Sequence, residues 1–140
     1  MSPVDDVNQR VISEFRANRG RVGGSFAGVP LLLLHSVGAR SGESRIHPMM
    51  YLCDGERIIV FASKGGAPTN PSWYHNLRVH PNATIEVGSD RVEVTATEIT
   101  GAEREILFRR QAARYPRFDE YQAGTPRLIP VIALTSAAQR

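Results

Sequence analysis

The sequence predicts a mainly β fold with helices, an α+β class in which a short-stranded antiparallel sheet closes into a small barrel with helices on its outside. Three observations carry this. Short runs rich in Val, Ile and Leu recur from residue 30 to residue 135, separated by turn signals. Several runs are joined by hairpin-type turns such as Asp54-Gly55. Helical segments are too few and too unevenly placed for a repeated βαβ sheet.

The elements follow in order. Residues 4–19 read as an amphipathic helix, because Val4, Val7, Val11, Ile12 and Phe15 recur at three- and four-residue steps and Gly20 can stop it. Glycine-rich residues 20–28 read as a flexible connection. Residues 30–36 form a continuous apolar strand. Residues 45–53 read as a second strand, in which Pro48 marks an edge or a bulge because proline cannot donate to a ladder. Residues 57–62 are a third strand. Asn70 and Pro71 suit the cap and first position of a short helix with Trp73, Tyr74 and Leu77 on its apolar side, ended by Pro81. A hairpin of residues 83–87 and 91–99 turns at Gly88-Ser89-Asp90. Thr100 and Glu103 have capping-box spacing and begin a helix to about Tyr115, broken by Pro116. Phe118, Tyr121 and Pro126 fall in a loop or short helix, and residues 128–135 are the last strand. The organisation expected is an N-terminal helix and flexible connection, residues 1–28, followed by the barrel, residues 29–140.

Composition narrows the function classes. With 140 residues, 41% hydrophobic and 22% charged, the chain is globular and long enough for a core without staples. The formal net charge of +3 permits an anionic ligand. Basic residues are scattered without a Lys/Arg block or a nucleic-acid motif, so nucleic acid is not an expected partner. The single Cys53 excludes an intramolecular disulfide, and its place in a strand predicts a buried, inert thiol. The apolar run at residues 30–34 is too short to span a bilayer, and Asp5 and Asp6 stand where an export signal would be apolar. A cytoplasmic protein is expected, with association to the inner face of the membrane left open.

Three constellations can carry chemistry. Gly38-Ala39-Arg40-Ser41-Gly42-Glu43-Ser44-Arg45 sets two arginines around a glycine turn, which suits a phosphate as well as an ordinary polar hairpin. Ala62-Ser63-Lys64-Gly65-Gly66 holds the only lysine at a strand end, shortly before the helix start at Asn70-Pro71, where free N–H groups favour anions. Trp73, Tyr74, Tyr115, Phe118 and Tyr121 can line a slot for a flat ligand or fill a core. His35, His47, His75 and His80 lack metal-ligand spacing, so no metal is expected; His75, beside the second constellation, is the one of interest. No serine–histidine–acid order is visible.

Glu14-Phe15-Arg16-Ala17-Asn18, the leucine run 31–34, Gly38-Ala39-Arg40-Ser41-Gly42, Ser63-Lys64-Gly65-Gly66 and Asn70-Pro71-Ser72-Trp73-Tyr74-His75-Asn76-Leu77 together resemble the deazaflavin-dependent nitroreductase and quinone reductase family of actinobacteria. Tyr115-Pro116 and Ile129-Pro130-Val131 extend the resemblance over nearly the whole chain. It implies a split β-barrel of the FMN-binding type and reduced coenzyme F420 as hydride donor to a quinone or nitroaromatic acceptor. By resemblance, Arg40, Ser41 and Arg45, with Ala39 beside them, hold the cofactor's phosphate or oligoglutamate tail. Pro48, Met49 and Met50, preceded by Ile46 and His47, run beside the ring. Ser63 and Lys64, after Phe61 and Ala62, meet ring or phosphate. Ser72, Trp73, Tyr74, His75 and Asn76 close the site, and Phe118 belongs to the same set. Ser63, Tyr115 and Tyr121 are the substrate-pocket candidates. Phe118 stands where the nitroreductase has tyrosine, which loses a hydroxyl and argues against efficient nitroimidazole reduction. Two rivals stay open: an FMN-dependent split-barrel oxidoreductase, and a non-enzymatic protein that binds or carries F420.

Overall fold

A computed structural model describes residues 3–136. The N-terminal helix α1 (Pro3–Ala17) buries Val11, Ile12 and Phe15 against Val22, Leu31 and Leu33, so its apolar stripe is spent on the chain's own sheet. A bidentate Arg16–Glu86 pair adds a polar latch, with Nε at 3.2 Å and Nη2 at 2.8 Å from the carboxylate oxygens. His35 Nε2 meets the same carboxylate at 2.5 Å. Together Arg16 and His35 hold the Glu86 carboxyl down at about 2. After the helix the chain turns at Gly20, where φ is +92° and a Cβ would lie 2.8 Å from the Gly88 Cα; only glycine permits that approach.

Among the described residues seven strands follow, in chain order β1 (Leu31–Val37), β2 (Ser44–Met50), β3 (Leu52–Asp54), β4 (Arg57–Phe61), β5 (Asn82–Val87), β6 (Asp90–Ile99) and β7 (Val131–Ser136). They form one antiparallel sheet in the order β2-β1-β5-β6-β7-β4-β3. The two edge strands, β2 and β3, are separated in the chain by Tyr51 alone. In a flat sheet they would stand six strand spacings apart, about 29 Å, and one residue reaches only about 7 Å. The sheet therefore curls until its edges meet, and β2 approaches β4 across the seam.

This curl corrects the expected strand 45–53. Its apolar pattern runs through Tyr51 without a break, but residues 44–50 pair with β1 whereas residues 52–54 pair with β4. Pro48 does lie on an edge strand, opposite Leu33. Cys53 is a second correction: it is exposed, because β3 is a three-residue edge strand with no further strand beside it.

Alternation along the strands divides the core. Leu32, Leu34, Val60, Ile85, Val94, Ile132 and Leu134 meet on the concave face, closed by Trp73, Tyr74 and Leu77 of α2 (Ser72–Val79). On the opposite face Ile59, Phe61, Val131 and Ala133 pack beneath α3 (Gly101–Arg114) and α4 (Arg117–Ala123), through Leu107, Phe108, Ala112 and Phe118. The capping box expected at Thr100 is not formed: no side chain caps α3, and the Glu103 carboxylate pairs with Arg57 at 3.0 Å. The last strand starts at Val131, later than expected, because the Ile129 N–H and C=O bond to the side chains of Gln122 and Arg104 instead of a ladder partner.

Candidate functional site

The hairpin between β1 and β2 folds over the start of α2. Gly38 N–H donates to the Glu43 carbonyl at 2.8 Å and Gly42 N–H to the Gly38 carbonyl at 3.0 Å, closing a tight turn in which Gly42 has φ +72°. Asn76 ties this turn to α2. Its Oδ1 accepts from the Ala39 N–H at 2.9 Å, and its Nδ2 donates to Ser36 Oγ at 3.1 Å. Asn76 and Ser36 are both buried. The turn and the helix thereby enclose a cleft of about 800 Å³, lined by Gly38, Ala39, Arg40, Ser41, Arg45, His47, Ser72, His75 and Asn76. Two segments singled out separately in the sequence share one cavity.

The cleft suits an anion. Arg40 and Arg45 present guanidinium groups at its exposed rim, where Arg45 makes only a surface pair with Glu43 at 3.2 Å. Ser72 opens α2, whose N-terminal end carries no side-chain cap and adds the positive end of the helix dipole. His47 lies on the cleft wall with its Nδ1 buried and without a hydrogen-bond partner. Burial, and then the neighbouring Arg45 charge, hold the His47 imidazole below its ordinary range. Its unpaired nitrogen is free to bond to a molecule in the cleft.

Lys64 stands apart from this cleft. It follows Ser63 at the end of β4 and opens a turn with three consecutive positive φ values, 48° at Lys64, 61° at Gly65 and 83° at Gly66. Its ammonium is exposed and donates to Thr69 Oγ1 at 3.2 Å. Gly66 lies flush on α4, since a Cβ there would be 3.0 Å from the Tyr121 carbonyl oxygen. Asn70 does not cap α2, whose N-cap is Pro71; the Asn70 side chain is taken by Arg127. That arginine was invisible as a site residue in the sequence, where it is one of many scattered basic positions. Its Nε donates to the Ala67 carbonyl at 2.9 Å, Nη1 to the Ala62 carbonyl at 3.1 Å and Asn70 Oδ1 at 2.7 Å, and Nη2 to the Ser63 carbonyl at 2.8 Å.

The remaining positions divide between wall and core. Trp73 and Tyr74 are buried in the concave cluster, and the Tyr74 hydroxyl donates to Glu98 at 2.7 Å. Burial first, then Glu98, push the Tyr74 hydroxyl above its usual range. Along β2, Met49 leans on the concave cluster, whereas Ile46 and Met50 lean on the α1 side. Phe61 and Ala62 are buried. Phe118 is 3% exposed and packs edge-on against Phe61 at 5.6 Å and Tyr121 at 5.4 Å between ring centroids. Tyr115 and Tyr121 are half-buried beside that cluster.

A curled antiparallel sheet with one seam is the architecture of the FMN-binding split-barrel proteins. A pyridoxamine 5'-phosphate oxidase-like protein from Listeria innocua shares it, with a TM-score of 0.55 at 11% identity over 94% of both chains. The family model of the F420H2-dependent quinone reductases matches residues 8–136, and the chain belongs to that family. The F420H2-dependent quinone reductase Rv1261c of Mycobacterium tuberculosis is 38% identical over 128 residues, spanning 86% of this chain and 84% of that protein. The solved structure of an F420H2-dependent reductase, FDR-A, superposes with a TM-score of 0.69 at 38% identity, covering 75% of this chain and 93% of its own. Membership makes the chain an oxidoreductase whose hydride donor is reduced F420.

Proposed function

We propose that the protein reduces a quinone with F420H2, holding the cofactor between the arginine-lined cleft and the loop that carries Ser63 and Lys64. The observation that carries this reading is the cleft itself: two arginines, an uncapped helix start and an orphaned His47 Nδ1 converge on one cavity. This donor set fits a phosphate joined to a polycarboxylate tail. Arg40, Ser41 and Arg45 bind that anionic part together with the Ser72 hydroxyl, and Ala39, whose N–H is held by Asn76, fixes the turn that carries them. Pro48, Met49 and Met50 border the ring, Ser63 and Lys64 meet it from the end of β4, and His75 and Asn76 close the cleft side. Trp73, Tyr74, Phe61, Ala62 and Phe118 act from the core, by fixing the elements that carry these contacts. Tyr115 and Tyr121 flank the acceptor. When bound, the reduced deazaflavin supplies a hydride; the protein supplies orientation, charge complementarity and exclusion of water.

A quinone is favoured over a nitroimidazole because Phe118 is a buried ring with no hydroxyl to offer. No helix among the described residues is long and apolar enough to cross a membrane. The reading includes a cytoplasmic enzyme that meets quinone at the inner face of the membrane, tested by co-sedimentation with quinone-loaded vesicles.

The deciding experiment compares F420 and FMN by fluorescence titration, then follows F420H2 oxidation with menadione. Binding of F420 with menadione-dependent turnover is expected. Binding of FMN alone would overturn the reading, and tight F420 binding without turnover would favour a carrier. Lys64→Ala is expected to weaken F420 binding well beyond the effect of Arg109→Ala, an exposed arginine on α3.

A further inference from the structure

We infer that Arg127 is a positioning residue: its guanidinium holds the loop 63–70 in the shape that meets the cofactor. The inference rests on the reading that this loop touches F420. Four hydrogen bonds from one side chain reach a stretch of nine residues lying 57 to 65 positions earlier in the chain. Three of the acceptors are main-chain carbonyls, one of which, that of Ser63, also accepts from the Gly66 N–H of the turn at 2.9 Å. The loop needs such support, because Lys64 is a non-glycine residue at φ 48° and is followed by two further left-handed residues.

Arg127 is itself fixed from behind. Gln122 of α4 donates through Nε2 to the Arg127 carbonyl at 2.7 Å, and its Oε1 accepts from the Ile129 N–H at 3.0 Å. That Oε1 also accepts from Arg104 Nη2 at 2.9 Å. Arg104, 3% exposed on α3, donates twice to the Ile129 carbonyl, at 3.2 and 2.8 Å. A continuous set of bonds thus runs from α3 through α4 and Arg127 to the residues flanking Lys64. The contact of Gly66 with Tyr121 seats the loop on the same helix. Such a fork is specific to arginine; a lysine ammonium has three donors on one atom and cannot span four dispersed acceptors.

The test uses the full chain with Arg127→Lys, Arg127→Ala and Lys64→Ala side by side. Both Arg127 variants are expected to raise the dissociation constant of oxidised F420, read by its fluorescence, by about tenfold or more, as the loss of charge-assisted hydrogen bonds implies. The KM for F420H2 should rise by the same factor, with kcat at saturating cofactor changed less than about threefold, since the residue acts on binding and not on chemistry. Amide hydrogen exchange across residues 64–70 should accelerate without any cofactor present, a readout independent of activity. If Arg127→Ala fails to fold, Arg127→Lys carries the test. Unchanged F420 affinity in Arg127→Lys alongside weakened affinity in Lys64→Ala overturns the inference alone. Unchanged affinity in all three variants removes the loop from the cofactor site and overturns the underlying reading with it. Unchanged exchange in residues 64–70 overturns the clamp directly.

Discussion

Asn76 links the stability of the cleft to its charge, and two substitutions separate the two. Asn76→Ala removes the bonds at 2.9 and 3.1 Å and leaves the Ala39 N–H and Ser36 hydroxyl without that partner. Each net bond is worth about 1 kcal/mol and each stranded buried group adds a similar penalty, so the loss is about 2–4 kcal/mol. For a chain of this size, at an unfolding entropy of about 0.3 kcal/mol/K, that is a fall in Tm of about 7–13 °C. Asn76→Asp behaves differently. The carboxylate still accepts from Ala39, and the Ser36 hydroxyl can rotate to donate, so both bonds survive and any fall in Tm reports the desolvation of the buried carboxylate. It also places a full negative charge on the wall of an anion cleft. At about 6 Å and an effective dielectric of about 20, repulsion of one ligand charge is about 3 kcal/mol, close to 100-fold in affinity. Arg40, Arg45 and salt reduce that to about tenfold or more. Differential scanning fluorimetry and F420 titration at pH 8 measure both quantities. An alanine variant as stable as the wild type, or an aspartate variant that binds F420 as tightly, would refute the roles given to Asn76.

Glu86→Gln tests the latch between α1 and β5. The folded carboxyl lies at about 2 against an ordinary 4.5, which sets a ceiling of about 3.4 kcal/mol. Partial exposure of Arg16 to solvent reduces this to about 1–2 kcal/mol. The stabilisation belongs to the ionised form: it is full above pH 4.5 and vanishes as pH falls towards 2. Urea unfolding of both proteins should diverge at pH 7 and converge at low pH; a pH-independent difference contradicts the assignment. Gln111 is 1% exposed with an unpaired Nε2, so Gln111→Met should raise Tm by about 3 °C, and a comparable fall would reveal an ordered water on that nitrogen. Cys53 should react with a thiol reagent in the native state at close to its rate in urea; protection until unfolding would contradict its exposure.

The sequence made the fold legible wherever one residue pattern maps to one local structure. Continuous apolar runs marked β1, β4 and β7 as strands but not which residues face which side, and the spacing of Val11, Ile12 and Phe15 marked the stripe of α1. It failed where partners distant in the chain decide. Nothing local at Tyr51 separates β2 from β3, because the break exists only in the pairing with β1 and β4. Glu103 and Asn70 have the spacing of helix caps, but Arg57 and Arg127 claim their side chains. The arginine turn and the start of α2 were recognisable as anion-favouring segments; that Asn76 joins them into one cleft depends on a bond across 37 positions. Arg127 carries no sequence signal, since a single arginine after a proline reveals nothing about four acceptors some 60 residues away.

The sheet order has a consequence for how the chain is made. The hairpins β1–β2, β3–β4 and β5–β6 form between neighbours in sequence, and β5 can add to β1 before β7 emerges. The connection from β6 to β4 is β7 alone, the last strand to emerge, and Val131–Leu134 are buried on both sides. Until then the nascent protein is two separate ribbons with unpaired edges at β4 and β6. A ribosome-bound chain stalled before residue 131 should therefore be protease-sensitive and recruit chaperones, and release of the six residues of β7 should convert it in one step to a single curled sheet.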